Sequence, residues 1–90
     1  MSIEYICITG GTGTMGQELA KLYLSNPLIK EVCVLSRDES KQEQMARTFN
    51  DKRLRFILGD VKNEASLYEA FDAKDLVIHA AALKRVGGGE

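Results

Sequence analysis

The chain has 90 residues, 44% hydrophobic and 28% charged, and twelve Lys and Arg against thirteen Asp and Glu leave a net charge of -1. That mix suits one small packed domain and excludes a disordered tail, a collagen-like repeat and a disulfide-knotted miniprotein. There is no basic excess for a nucleic acid or an anionic membrane, no apolar run near the ~20 residues of a membrane span and no basic leader after Met1, so a cytoplasmic location is expected.

The pattern predicts strands and helices in strict alternation. Tyr5-Ile6-Cys7-Ile8-Thr9 is apolar without polar alternation, the mark of a strand buried on both faces. A glycine-rich run follows, Gly10-Gly11-Thr12-Gly13-Thr14-Met15-Gly16, and leads into a helix whose apolar positions are Met15, Leu19, Leu22 and Tyr23. Asn26-Pro27 ends that helix, because the residue before proline avoids the α region.

A glycine spacing of this kind between a strand and a helix points to a dinucleotide. Gly10 gives the tight turn, Gly13 lets a pyrophosphate approach the backbone, and Gly16 lets helix and strand pack closely. Helix-start N–H groups favour the phosphates, and Thr12 and Thr14 add hydroxyl donors, so Gly10, Thr12, Gly13, Thr14, Met15 and Gly16 form the candidate cradle. A triphosphate loop is excluded, because Gly16 is followed by Gln17-Glu18 instead of Lys and Ser or Thr.

The second strand is Glu31-Val32-Cys33-Val34-Leu35. An NAD site usually places a carboxylate at its end. Here Ser36-Arg37 stands there, with Asp38 next and Lys41 in the first turn of the following helix. A hydroxyl and cations suit a 2′-phosphate, which favours NADP over NAD. The competing reading is that Arg37 pairs with Asp38 or Glu39 on a solvated loop.

That second helix is predicted to reach about Phe49, with a thin apolar side of Met45, Ala46 and Phe49. The third strand is Leu54 to Leu58, stopped by Gly59-Asp60-Val61, where Asp60 and Val61 would lie beside an adenine or form an ordinary turn. A third helix runs from Glu64 to Phe71, capped by Asn63, with Leu67, Ala70 and Phe71 on one face. The fourth strand is Asp75 to Ala80, in which His79 is read as a core residue. Ala80, Ala81 and Ala82 would let a cofactor lie over the strand ends or simply allow tight helix–strand packing, and Lys84 could reach phosphate or substrate or be an ordinary surface lysine.

Alternation of this kind predicts an α/β fold: a partial Rossmann-like doubly wound parallel sheet in order 3-2-1-4 with three helices. The first two helices would cover one face and the third the other. Residues 1–90 form a single nucleotide-binding half-domain on this reading. Cys7 and Cys33 are expected as buried free thiols, and with one histidine and no CxxC no metal site is expected.

The runs Ile8-Thr9-Gly10-Gly11-Thr12-Gly13, Ser36-Arg37-Asp38-Glu39 with Lys41-Gln42, Arg53-Leu54-Arg55-Phe56, Gly59-Asp60-Val61 and His79-Ala80-Ala81-Ala82-Leu83-Lys84 occur in that order. Together they resemble the inverting UDP-N-acetylglucosamine 4,6-dehydratases of polysaccharide biosynthesis, extended short-chain dehydrogenases, over residues 5 to 86. The resemblance implies an NADP-dependent lyase that takes hydride from C4 of a UDP-amino sugar, eliminates water across C5 and C6 and returns hydride at C6. It assigns Gly10, Gly13 and Gly16 to the pyrophosphate, Ser36, Arg37 and Lys41 to the 2′-phosphate, and Asp60 and Val61 to the adenine. Ala80 to Ala82 would line the cofactor, and Lys84 would approach the active centre.

That family's Tyr-x-x-x-Lys pair has no counterpart here: Tyr5, Tyr23 and Tyr68 are followed four places on by Thr9, Pro27 and Asp72. No catalytic residue is therefore assigned, and the ninety residues are expected to bind cofactor without turning over a UDP-sugar unless the catalytic half is supplied. The alternatives are a non-enzymatic dinucleotide-binding module and a structural remnant. An apolar fourth strand at the sheet edge also predicts self-association.

Overall fold

A computed structural model of the chain describes residues 3–10, 12–60 and 62–80. The elements alternate as β1 (Tyr5–Thr9), α1 (Thr14–Leu24), β2 (Glu31–Ser36), α2 (Glu39–Phe49), β3 (Leu54–Leu58), α3 (Glu64–Phe71) and β4 (Leu76–His79). All pairings are parallel and the order is β3-β2-β1-β4. This is the predicted half of a doubly wound sheet.

Side chains alternate across a strand, so each face of the sheet has its own core. Ile6, Ile8, Val32 and Val34 pack with Ala20 of α1 and Met45 of α2. Cys7, Cys33, Leu35 and Ile57 pack on the other face with Ala70 of α3, joined by Leu67 and Phe71. The helices divide between the faces as the connection order predicts.

The helical faces are narrower than the sequence pattern suggests. In α1 the buried residues are Gly16 and Ala20, while Met15 is 40% and Leu22 63% exposed. Small residues bring this helix close to the sheet, leaving its longer apolar side chains at the rim. In α2 the buried pair is Gln42 and Met45, and Ala46 is exposed. Asp38 caps α2 by accepting from the Lys41 N–H at 3.0 Å, and Asn50 closes it in the left-handed region at φ 48.

The strand starts are tied together by charged groups. Asp75 accepts from the N–H groups of Glu4 and Tyr5 at 2.9 and 3.0 Å, which joins β4 to β1. Arg53, held by Asp51 at 2.9 Å, donates to the carbonyls of Asn26 and Ile29 at 3.0 and 2.9 Å and to that of Leu24. One guanidinium thus satisfies carbonyls at the end of α1 and in the loop before β2. Glu31 sits between Arg55 and Lys74, at 3.3 Å from each.

Candidate functional site

The opposite ends of the strands build a cleft. Gly10 follows β1 at φ 68, a left-handed conformation that favours glycine, and its N–H donates to the Leu35 carbonyl at 2.8 Å. The glycine turn is thereby fastened to the end of β2. Gly59 N–H donates to the Ser36 carbonyl at 2.8 Å, which fastens the end of β3 to the same place. Gly13 is extended (φ -77, ψ 177), and a β-carbon there would lie 3.7 Å from the Gly10 carbonyl. Its backbone does not require glycine, so the value of glycine at this position lies in the room it leaves outside the turn. Helix α1 starts beyond it with no acidic residue in its first turn, which leaves the positive end of the dipole uncompensated.

The cleft encloses about 730 Å³ and is lined by Gly10, Thr12, Leu35 to Lys41, Gly59, Asp60 and Lys62. Of the residues singled out from the sequence, it gathers Gly10, Thr12, Ser36, Arg37, Asp38, Lys41 and Asp60. Gly13, Thr14, Met15 and Gly16 belong to the adjoining turn and α1, outside this lining. Val61, Ala81, Ala82 and Lys84 lie outside the described residues.

Three expectations change. Ala80 is 2% exposed and packs in the core beside α1, away from the cleft wall. His79 is exposed, not buried in the core: it ends β4, where its Nδ1 lies 2.8 Å from Thr9 Oγ1 and its ring meets Phe71 edge-on. Arg37 pairs with neither Asp38 nor Glu39; its Nη1 stands 3.6 Å from the Asp60 carboxylate. Asp38 is engaged as the α2 cap. Asp60 also accepts from the Lys62 N–H at 2.9 Å. The acidic groups of the cleft are thus partly neutralised from within, while Lys41 presents its ammonium side chain at the rim.

Gln42 was not legible as a site residue. It is 7% exposed, and its Nε2 donates to Ser36 Oγ at 2.9 Å and to the Ile57 carbonyl at 3.1 Å. The available signal was its position three residues before Met45, on the inner side of α2.

Residues 6–90 match the family model described as polysaccharide biosynthesis protein. The chain belongs to that family. Its relatives include the UDP-glucose 4-epimerases of Rickettsia felis and Rickettsia bellii, 45% and 44% identical over 84 residues. Each alignment covers 90% of this chain and 25% of the relative, so the chain spans about a quarter of the length of the family members it matches. Among solved structures, Pen from Bacillus thuringiensis superposes with a TM-score of 0.81 at 32% identity, over 87% of this chain and 24% of that one. A wide-type short-chain dehydrogenase/reductase from Veillonella parvula, in complex with NADP, gives a TM-score of 0.72 over 87% of this chain and 35% of that one. At 20% identity it shows the shared fold. Among the described residues no group of acidic, histidine or cysteine side chains could hold a metal ion, and no helix is long and apolar enough to cross a membrane.

Proposed function

We propose that this chain is the NADP(H)-binding segment of an enzyme that acts on a UDP-linked sugar. The observation that carries this reading is the cleft at the strand ends, where the glycine turn meets Ser36, Arg37 and Lys41. Its volume suits the adenosine end of a dinucleotide. Gly10 and Gly13 leave the turn open to a pyrophosphate, and the start of α1 directs N–H groups and the helix dipole toward it. Ser36, Arg37 and Lys41 receive the 2′-phosphate, and Asp60 accepts from the adenine amine. Val61, Ala81, Ala82 and Lys84 are assigned to the cofactor by the resemblance alone.

When bound, the nicotinamide supplies a hydride acceptor and donor. The relatives' name, UDP-glucose 4-epimerase, and the resemblance to UDP-N-acetylglucosamine 4,6-dehydratases both require oxidation at C4 of a UDP-sugar. The finer reading is the dehydratase, on the strength of Ser36-Arg37-Asp38-Glu39 and His79-Ala80-Ala81-Ala82-Leu83-Lys84. The ninety residues hold no Tyr-x-x-x-Lys pair and on this reading bind cofactor without turnover.

Titration of NADPH and NADH, followed by nicotinamide fluorescence in a chain with no tryptophan, tests the proposal. NADPH should bind roughly tenfold tighter than NADH. Equal affinities would remove the 2′-phosphate assignment, and no binding of either would remove the dinucleotide. Turnover of UDP-N-acetylglucosamine by this chain would overturn the claim that it carries only the cofactor step.

A further inference from the structure

The Gln42 amide contacts two kinds of oxygen. The Ile57 carbonyl lies 3.1 Å from Nε2, and the Ser36 carbonyl 3.5 Å from the same atom. Carbonyls only accept, so the amide must present its NH2 end here. Ser36 Oγ, at 2.9 Å, then receives the second proton of that group. A hydroxyl that accepts in this way still has one proton of its own to place. The Ile57 carbonyl accepts from Gln42 and the Ser36 carbonyl from the Gly59 N–H at 2.8 Å. Ser36 is 7% exposed and lines the cleft, so the open direction for its proton is into the cleft.

We infer that Gln42 is a positioning residue that fixes the Ser36 hydroxyl as a hydrogen-bond donor and thereby sets the preference of the cleft for a phosphate over a free ribose hydroxyl. A phosphate dianion accepts only, and its hydrogen bonds are charge-assisted. A ribose hydroxyl both donates and accepts, and it gains less from a partner locked as donor. Gln42 acts through Ser36 and touches no ligand itself. Without its NH2 group, nothing holds the Ser36 oxygen as an acceptor, and its hydroxyl is free to turn. The inference rests on the dinucleotide reading of the cleft and adds the origin of its selectivity.

The test is a double-mutant cycle read on two cofactors. Gln42→Met should weaken NADPH by about tenfold and NADH by less than about twofold. Ser36→Ala should do the same, and Gln42→Met added to Ser36→Ala should cost less than about a further twofold. Circular dichroism and thermal melting establish that each variant is folded. If Gln42→Met does not fold, Gln42→Asn takes its place, because it keeps a buried amide but is one methylene too short to bridge Ser36 and Ile57. Equal losses for NADPH and NADH, or additive losses in the double variant, overturn the role of Gln42 while the dinucleotide reading stands. A parent chain that binds neither cofactor overturns both.

Discussion

Arg37 and Asp60 face each other across the mouth of the cleft, 3.6 Å apart, on loops that follow different strands. Their side chains are 77% and 35% exposed, so the pair is a weak surface contact that a phosphate can displace. Arg37→Ala should weaken NADPH by about 1.5–3 kcal/mol, the usual worth of a hydrogen bond to a charged group. NADH should change by less than about 0.5 kcal/mol, since it has no 2′-phosphate for the guanidinium. Isothermal titration of both cofactors checks this, and equal losses would dissociate Arg37 from the phosphate.

Gly10 and Gly13 should separate folding from binding. Gly10 is at φ 68, where a β-carbon is strained, so Gly10→Ala should destabilise the fold by about 1–2 kcal/mol. Gly13 is extended, and among the described residues a β-carbon there meets only ordinary contact at 3.7 Å. Gly13→Ala should therefore change stability by less than about 1 kcal/mol yet abolish dinucleotide binding by filling the approach to the backbone. Urea denaturation and cofactor titration on both variants make the comparison. Normal binding by Gly13→Ala would place the pyrophosphate elsewhere.

Arg53 and Asp75 should govern the response to acid. Hydrogen bonds from Arg53 hold the Asp51 carboxyl below the usual range, and those from the Glu4 and Tyr5 N–H groups do the same for Asp75. A carboxylate with a depressed folded pKa contributes stability that is fully present above its unfolded value, about 3.9, and is lost as pH falls through the lower folded value. Denaturation midpoints should hold from pH 7 to about 5 and fall steeply below about 4. Asp75→Ala should flatten that fall. Arg53→Met should cost about 1–2 kcal/mol at neutral pH, because it removes the guanidinium donor from three carbonyls and the cation beside Asp51. An acid profile unchanged by both variants would discount these contacts.

Cys7 and Cys33 should be inert in the folded chain. They are in register on neighbouring strands, 0% and 1% exposed. The neighbouring Cys33 sulfur and burial both push the Cys7 thiol up, and burial also opposes ionisation of Cys33. A thiol reagent at pH 8 should modify neither without denaturant and both in guanidinium. Rapid native modification of either sulfur would reveal local opening of the β1–β2 pair.

The strands were legible because buried parallel strands are written as short apolar runs, and Gly10, Pro27 and Gly59 punctuate them. Their order followed from the alternation with helices. Helix faces were less legible. Leu22 has the right spacing but stands off the sheet, because Gly16 and Ala20 make the close contact. Gln42 reads as a surface residue because polar side chains in an amphipathic helix usually face water. Its burial depends on Ile57 and Ser36, whose oxygens come together only after β2 and β3 pair. The Arg37–Asp60 contact was hidden for the same reason: it joins two loops through space. His79 read as core from its strand, yet it occupies the last, exposed position of β4.

Because every strand runs the same way, the contacts of Arg53, Asp75 and Glu31 gather at the starts and those of Gly10, Ser36, Arg37 and Asp60 at the ends. Much of the clamping and the ligand-facing chemistry are therefore different residues at opposite poles of one sheet. A descendant sequence can redraw the exposed loop residues at the far pole, exchanging one cofactor preference for another, while the clamps at the near pole stay in place. Such a scaffold can diversify by small edits to its loops, with its foundations inherited intact.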